Sequence, residues 1–307
     1  MKIIYGLNNL KKQNRKCAAT IGIFDGVHKA HQAVLKRAIS IAGKKHISSC
    51  VITFFPHPQK VISGPLAKST IISLRHRLKL LEDLGIDLCL VIKFTPAFSK
   101  KPVEHFIENV LVKKLKTDTL VVGDKFRLGK EKLSAEKLKE ITARASIRLK
   151  VVPAQKYKGS AISSSAIREL IEKGSLDIAS RLLGRNVTIR GAVMPGKKLG
   201  RVLGFPTANI NPHHEVVPPA GVYAVNVKLG ARRYQGLLNI GFRPGFGEKR
   251  KEPVVEVHIL RFRGDLYNKE IEVSFIRKIR QEFHFKDRES LRKRIEKDVQ
   301  TFSLYKV

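Results

Sequence analysis

The feature that most restricts the fold of this chain is a change of apolar period near residue 184. Before it, short β-branched runs at residues 18–24, 49–55, 88–92, 119–122 and 147–152 alternate with amphipathic stretches at 31–42, 74–84, 103–115 and 135–145. Strands joined through helices pair in parallel and carry those helices on the faces of the sheet. The first half is therefore expected to be an α/β, Rossmann-like domain. Two more helices are predicted over 164–172 and 176–183. Gly184 then acts as their stop, because glycine takes the left-handed conformation at a helix end without a Cβ penalty. Beyond Gly184 the period shortens to two, at 186–193, 222–229, 233–240, 254–260 and 270–276, with turn residues such as Gly230 and Gly264 between the runs. That pattern predicts a small antiparallel β-barrel. A final helix over 288–302 has Asp287 as its N-cap and Leu291, Ile295, Val299 and Phe302 on one stripe. The expected division is two domains, 1–184 and 185–307.

Composition narrows the classes that such a chain can join. No run approaches 18 apolar residues, so no transmembrane helix is expected. Residues 1–6 lack the apolar core and cleavage site of a signal peptide. Cys17, Cys50 and Cys89 are odd in number, widely spaced and set in apolar runs. They read as reduced core thiols rather than as a disulfide framework, which points to the cytoplasm. Lys and Arg number 60 against 26 Asp and Glu, a formal charge of +34 that would attract polyanions. The basic residues are spread along the chain with no arm or dense cluster, so a generally basic surface is the plainer reading and a nucleic-acid partner is not expected.

Two stretches of the first half carry chemistry. Thr20-Ile21-Gly22-Ile23-Phe24-Asp25-Gly26-Val27-His28-Lys29-Ala30-His31 runs from a strand end through a glycine turn into a helix. Alone, an H-x-x-H pair reads as capping or surface histidines, and a zinc site lacks a third ligand at suitable spacing. At the mouth of an α/β sheet, however, His28 and His31 join the backbone N–H groups and helix dipole that bind an anion such as triphosphate. Ile162-Ser163-Ser164-Ser165-Ala166-Ile167-Arg168 is a second anion cradle, with Ser164 and Ser165 at a helix N-terminus and Arg168 one turn on. Its plainer reading is a serine cap followed by a solvated arginine. Two further stretches, Thr53-Phe54-Phe55-Pro56-His57-Pro58 and Val121-Val122-Gly123-Asp124-Lys125-Phe126-Arg127-Leu128-Gly129, enter through a family resemblance.

In the second half, Gly200-Arg201-Val202-Leu203-Gly204-Phe205-Pro206-Thr207-Ala208-Asn209 is the specific signal, whereas Pro-Thr-Ala-Asn alone would be only a turn. Asn239-Ile240-Gly241-Phe242-Arg243-Pro244 and Val255-Glu256-Val257-His258 follow. Glu256 sits in an apolar strand where a carboxylate can act as general base, or can simply face solvent from a sheet edge.

Together these motifs resemble, in order and over about residues 15 to 300, the prokaryotic bifunctional riboflavin kinase/FMN adenylyltransferase (FAD synthetase) family. The resemblance implies ATP-dependent conversion of riboflavin to FMN and of FMN to FAD, with small-molecule substrates and Mg²⁺. It implies that Gly22, Phe24, Asp25, Gly26, Ser164 and Ser165 line an ATP site with His28, His31 and Arg168 as catalytic groups. It implies a second ATP site at Gly191, Gly196, Arg201, Gly204 and Pro206, the stretch from Gly191 to Leu199 being a phosphate-covering loop. Thr207 and Asn209 would hold the metal and Glu256 would be the base, with Phe126, Arg127 and Arg280 on the flavin side. Departures from the family pattern are Ile23 for Asn, Ala30 for Gly, Lys125 for Asp or Asn, Ser165 for Thr, and Gly245 for Thr. Ile23, Ala30 and Lys125 keep open a riboflavin kinase with a silent first domain. The charge keeps open an RNA-binding protein on an enzyme scaffold.

Overall fold

The computed structural model describes residues 1–64, 69–131, 133–195, 200, 204–213, 215–244, 251–283 and 287–303. Its contacts divide into two compact units, Met1–Thr70 with Leu74–Ser164, and Ile71–Ser73 with Ser165–Val307.

The first unit is built on six parallel strands, β1 (Lys2–Tyr5), β2 (Cys17–Ile21), β3 (Ser48–Phe55), β4 (Leu88–Lys93), β5 (Thr117–Gly123) and β6 (Arg148–Val152), in the order β1-β4-β3-β2-β5-β6. Helices α1 (Lys29–Lys45), α2 (Pro58–Ser63), α3 (Leu74–Asp83), α4 (Pro96–Ser99), α5 (Val103–Phe106) and α6 (Ala135–Arg144) make the crossovers. Central strands are buried on both faces, as β2 is throughout, which explains their unbroken apolar runs. The chain winds from β2 outward to β3 and β4, then crosses back to β5 on the other side of β2. That reversal opens a crevice at the carboxyl ends of β2 and β5, where doubly wound sheets bind ligands.

The Rossmann-like expectation therefore stands, with two local differences. Strand β1 was not legible, because only Ile4 of its four residues is buried. The helix expected over 103–115 changes winding after α5 into a π-helical turn, Ile107–Val112, with i→i−5 bonds such as Lys113 N–H to Glu108 O at 3.0 Å. The wider turn keeps Ile107, Val110, Leu111 and Leu115 all in the core. A short hairpin, β7 (Lys156–Tyr157) and β8 (Ser160–Ala161), precedes α7 (Ser164–Glu172) and α8 (Leu176–Leu183). Gly184 ends α8 in the left-handed conformation at φ 74°.

The parallel topology also gathers charge that reads as dispersed along the sequence. Strands β2, β3, β5 and β6 all start at one end of the sheet, and the segments entering them bring exposed Lys11, Lys12, Arg15, Lys16, Lys44, Lys45, Lys113, Arg144 and Arg148 there. Their spread along the sequence and their shared end of the sheet are compatible, because the crossovers return the chain to that end before each strand. Asp118 sits among these cations and pairs with Lys45 and Arg148.

The second unit contains a closed antiparallel barrel of β9 (Thr188–Met194), β10 (Ala208–Ile210), β11 (Gly221–Leu229), β12 (Arg232–Pro244), β13 (Lys251–Ile259) and β14 (Glu270–Arg280), ordered β10-β13-β12-β11-β14-β9. Closure removes the exposed strand edges that an open sheet of this size would leave. Strand β10, three residues long, is too short to show a period. Helix α9 (Arg288–Ser303) begins where Asp287 accepts from the Ser290 N–H at 2.7 Å, the expected cap. Its Val299 and Phe302 pack on Ala224 and Leu237 of the barrel. A buried ion pair adds to this, with Asp298 of α9 taking Nε and Nη2 of Arg280, each at 2.8 Å.

Candidate active sites

In the first unit, the turn after β2 is the most constrained backbone of the crevice. Phe24 at φ 53° and Val27 at φ 41° lie in the left-handed region that β-branched and bulky residues avoid, with Gly26 at φ 85° between them. Strain of this kind persists where the surroundings over-determine it, as at functional sites. Gly22 has a packing reason: a Cβ there would lie 3.0 Å from the Phe24 ring. That ring in turn packs edge-on against His31, with centroids 5.3 Å apart.

His28 is the N-cap of α1, and its Nδ1 accepts from the His31 backbone N–H at 3.3 Å. A neutral imidazole that accepts through Nδ1 carries its proton on Nε2, which is therefore the atom able to donate. The two rings stack, with centroids 3.6 Å apart and planes 16° from parallel. Burial, then the neighbouring His28 and the Arg77 charge, push His31 well below the usual imidazole range. Its buried Nδ1 has no hydrogen-bond partner among the described residues. Asp25 is buried beside this turn, and its carbonyl accepts from Ser164 Oγ at 2.9 Å. The turn and Ser164 are thus brought together across 139 residues of sequence. Ser165 and Arg168 continue along α7 and fall in the second unit by contact; Arg168 is buried.

Arg77 of α3 was missed in the sequence. It is 2% exposed, and its Nη1 donates to Thr53 Oγ1 at 3.0 Å. Thr53 Oγ1 in turn donates to the Ile23 carbonyl at 3.2 Å, inside the strained turn. An arginine on an amphipathic helix reads as solvated, so nothing local flags it. Burial pulls its pKa down, while attraction to Asp25 works the other way.

At the second lip of the crevice, Phe126 packs partly on the core and its N–H bonds Gly123 O at 3.0 Å, while Arg127 is exposed. Asp124 accepts from the Lys125 N–H at 2.7 Å and both side chains are exposed. Lys125 therefore stands in a turn that Asp124 stabilises.

In the second unit, the antiparallel register places Asn209 opposite Glu256, and Glu256 opposite Asn239. Directly paired residues share a face, with Cβ atoms about 5 Å apart. Val255, Val257 and Ile259 face the barrel core, so Glu256 projects from the other face, half-buried. Asn239 was not foreseen as a member of this row, because its place depends on register. His258, two residues on and on the same face, bonds the Pro206 carbonyl through Nδ1 at 2.9 Å. Thr207 and Pro206 border a cavity of about 100 Å³ that Phe262, Leu266 and Tyr267 also line. Gly204 takes φ 86° in the turn before Pro206.

One expectation changes. Gly191 to Met194 lie in β9 rather than in a loop, and a Cβ on Gly191 would meet the Asn211 carbonyl at 1.9 Å, which is a sheet-packing reason for glycine. Gly196 and Arg201 lie outside the described residues. Arg280 engages Asp298 and, through Nη1, the Gln281 carbonyl at 3.0 Å, so its guanidinium docks α9. As to metals, the described residues hold no group of three His, Cys, Asp or Glu. Thr207 and Asn209 offer hard oxygen donors of the kind that suit Mg²⁺ completed by phosphate and water.

Comparison with known proteins matches residues 10–166 to the FAD synthetase family and residues 183–305 to the riboflavin kinase family. Proteins named bifunctional riboflavin kinase/FMN adenylyltransferase are similar over nearly their whole length. That of Buchnera aphidicola subsp. Schizaphis graminum is 35% identical, covering 99% of each chain. That of Haemophilus influenzae is 36% identical over 98% of each, and that of Escherichia coli K12 is 35% identical over 97% and 96%. A crystal structure described as a macrolide-efflux protein from Streptococcus pneumoniae superposes with a TM-score of 0.86 at 25% identity, over 100% of both chains. No helix among the described residues of the present chain is long and apolar enough to cross a membrane.

Proposed function

The chain belongs to the bifunctional riboflavin kinase/FMN adenylyltransferase family, and we propose that it carries both activities on one polypeptide. Riboflavin and ATP give FMN and ADP; FMN and a second ATP give FAD and pyrophosphate. The observation that carries this reading is the presence of both family matches, one after the other, in a single chain. A kinase with a silent first domain is not favoured, since the FAD synthetase match spans the departures at Ile23, Ala30 and Lys125.

The kinase chemistry is assigned to residues 185–307. Glu256 accepts the proton of the ribityl 5′-hydroxyl as that oxygen attacks the γ-phosphorus. Thr207 and Asn209 would hold Mg²⁺, which when bound neutralises phosphate oxygens. The pairing of Asn209 with Glu256 supports this, because it sets a metal-side and a base-side group on one face.

The adenylyl transfer is assigned to residues 1–184. The FMN phosphate attacks the α-phosphorus of ATP in line and pyrophosphate leaves, so the protein supplies positioning and positive charge rather than a nucleophile. His28 through Nε2–H, together with His31, Ser164, Ser165 and Arg168, serves the triphosphate. Gly22, Phe24, Asp25 and Gly26 shape the turn that holds them. Phe126, Arg127 and Arg280 are assigned to the flavin side, the last of these while it also holds α9. Three free, buried thiols accord with a reducing cytoplasm.

The test is a time course with riboflavin, ATP and Mg²⁺, the flavins being separated by chromatography. FMN followed by FAD is expected. FMN alone would leave only the kinase, and no flavin product would overturn the reading.

A further inference from the structure

Burying an arginine is expensive, and the first unit does it in a way that simple packing does not require. Taking a cation out of water costs several kcal/mol unless pairing and hydrogen bonds offset it, and an apolar side chain of similar volume is often as stable or more so. Arg77 is 2% exposed, and its Nε has no hydrogen-bond partner among the described residues. A leucine or methionine would fill the space with no unsatisfied donor. What the guanidinium does provide is a connected path. Arg77 Nη1 donates to Thr53 Oγ1, and at 3.5 Å to the Phe54 carbonyl at the end of β3. Because that hydroxyl accepts from Arg77, its own proton is directed to the Ile23 carbonyl. Ile23 precedes Phe24 and Asp25, and the turn leads through Val27 to the stacked His28 and His31.

We propose that Arg77 is a positioning residue for adenylyl transfer, fixing the Gly22–His28 turn through Thr53 and holding a positive charge beneath the crevice. Two independent observations converge on it. One is the hydrogen-bond relay from α3 through β3 to the turn. The other is the buried, unpartnered Nε, which a purely structural arginine would leave at a cost. The same charge acts on His31, together with the His28 ring in the cap of α1, while Asp25 of the turn acts on Arg77. A fixed cation close to this turn also favours the anionic substrate and the negative charge that develops as pyrophosphate leaves. The inference rests on the assignment of His28 and His31 to the triphosphate.

The experiment measures FMN adenylylation and riboflavin phosphorylation in the same full-length preparations of R77M, R77K, T53V and the R77M/T53V double variant. Circular dichroism and limited proteolysis check that the first unit is folded. Loss of the relay shifts the turn, and a displacement on the order of 1 Å costs about 100-fold in rate. R77M is expected to lose about that factor in kcat for adenylylation, with phosphorylation unchanged. T53V, nearly isosteric, removes both the Arg77–Thr53 and the Thr53–Ile23 hydrogen bonds and so cuts the relay at the turn; it is expected to lose about 100-fold, as R77M does. The double variant should be no slower than R77M, because both act through one path. R77K, which keeps the charge, should recover at least tenfold over R77M. Wild-type adenylylation in T53V, additive losses in the double variant, or no recovery in R77K would each overturn the proposal. H28A separates the two levels. If H28A leaves FAD formation unchanged, the triphosphate assignment fails. If H28A abolishes it while R77M and T53V do not reduce it, only the role of Arg77 fails.

Discussion

Asn209 of β10 and Glu256 of β13 are direct partners in an antiparallel ladder, so the two residues proposed as metal ligand and base are held by one rigid pairing. Rigid strands keep such groups at fixed separation better than loops do.

This pairing predicts a selective loss. E256A and E256Q should each lower riboflavin phosphorylation at least 100-fold, the usual scale for removing a general base. FMN adenylylation, supplied with FMN directly, should be unchanged in both. N209A should raise the KM for MgATP while leaving the riboflavin KM near that of the wild type. Near-normal kinase turnover in E256A would defeat the assignment of the base.

His28 has two jobs that substitution separates. H28A removes both the cap on α1 and the Nε2–H donor. H28N keeps a capping oxygen but not the imidazole donor. H28A should lose about 1 kcal/mol of stability by denaturant titration, and H28N should lose little. Both should fail in adenylylation. An H28N variant with wild-type FAD formation would make His28 only a cap.

The Arg280–Asp298 pair bolts α9 to the barrel, with side chains 9% and 4% exposed. Removing one partner leaves the other charge buried. D298A should therefore destabilise the barrel by about 3 kcal/mol. The double variant R280M/D298L should be more stable than D298A, because the buried Arg280 charge is gone, while Arg294, 3.4 Å from Asp298, loses that partner in both. Equal unfolding midpoints for D298A and the wild type would show that the pair contributes nothing.

Asp118 gives a pH signature. Partial burial by itself would raise its pKa, but hydrogen bonds from Lys45 and Thr119 and the charges of Lys45 and Arg148 bring it down to about 2. A carboxyl whose folded pKa is depressed stabilises the fold above its ordinary value near 4 and loses that contribution as pH falls through the folded value. Wild type should therefore lose stability between about pH 4 and pH 2, and D118N should show a flatter profile there. Parallel stability curves for the two proteins over that window would rule this out.

Gly191 is predicted to be intolerant of any side chain. G191A would place a methyl 1.9 Å from the Asn211 carbonyl, on backbone that cannot move without opening the β9–β10 closure of the barrel. Overpacking of this kind costs about 2 to 3 kcal/mol. Thermal melting would register the loss.

Much of this architecture is written in local pattern. The change of period at Gly184, the runs behind β2 to β6, and helices α7 and α8 were legible because periodicity and capping act within a few residues. The candidate residues His28, Ser164, Thr207, Asn209 and Glu256 were proposed for the same reason, each lying in a contiguous pattern. Register, crossover order and burial were decided only by tertiary structure. They bring Asn239 beside Glu256, bury Arg77 of an amphipathic helix against Thr53, set Gly191 against the Asn211 carbonyl, and draw nine scattered basic residues to one end of a sheet. The physical reason is that these relations depend on contacts between residues far apart in the chain. Such contacts form only once parallel crossovers and barrel closure have fixed which strands are neighbours.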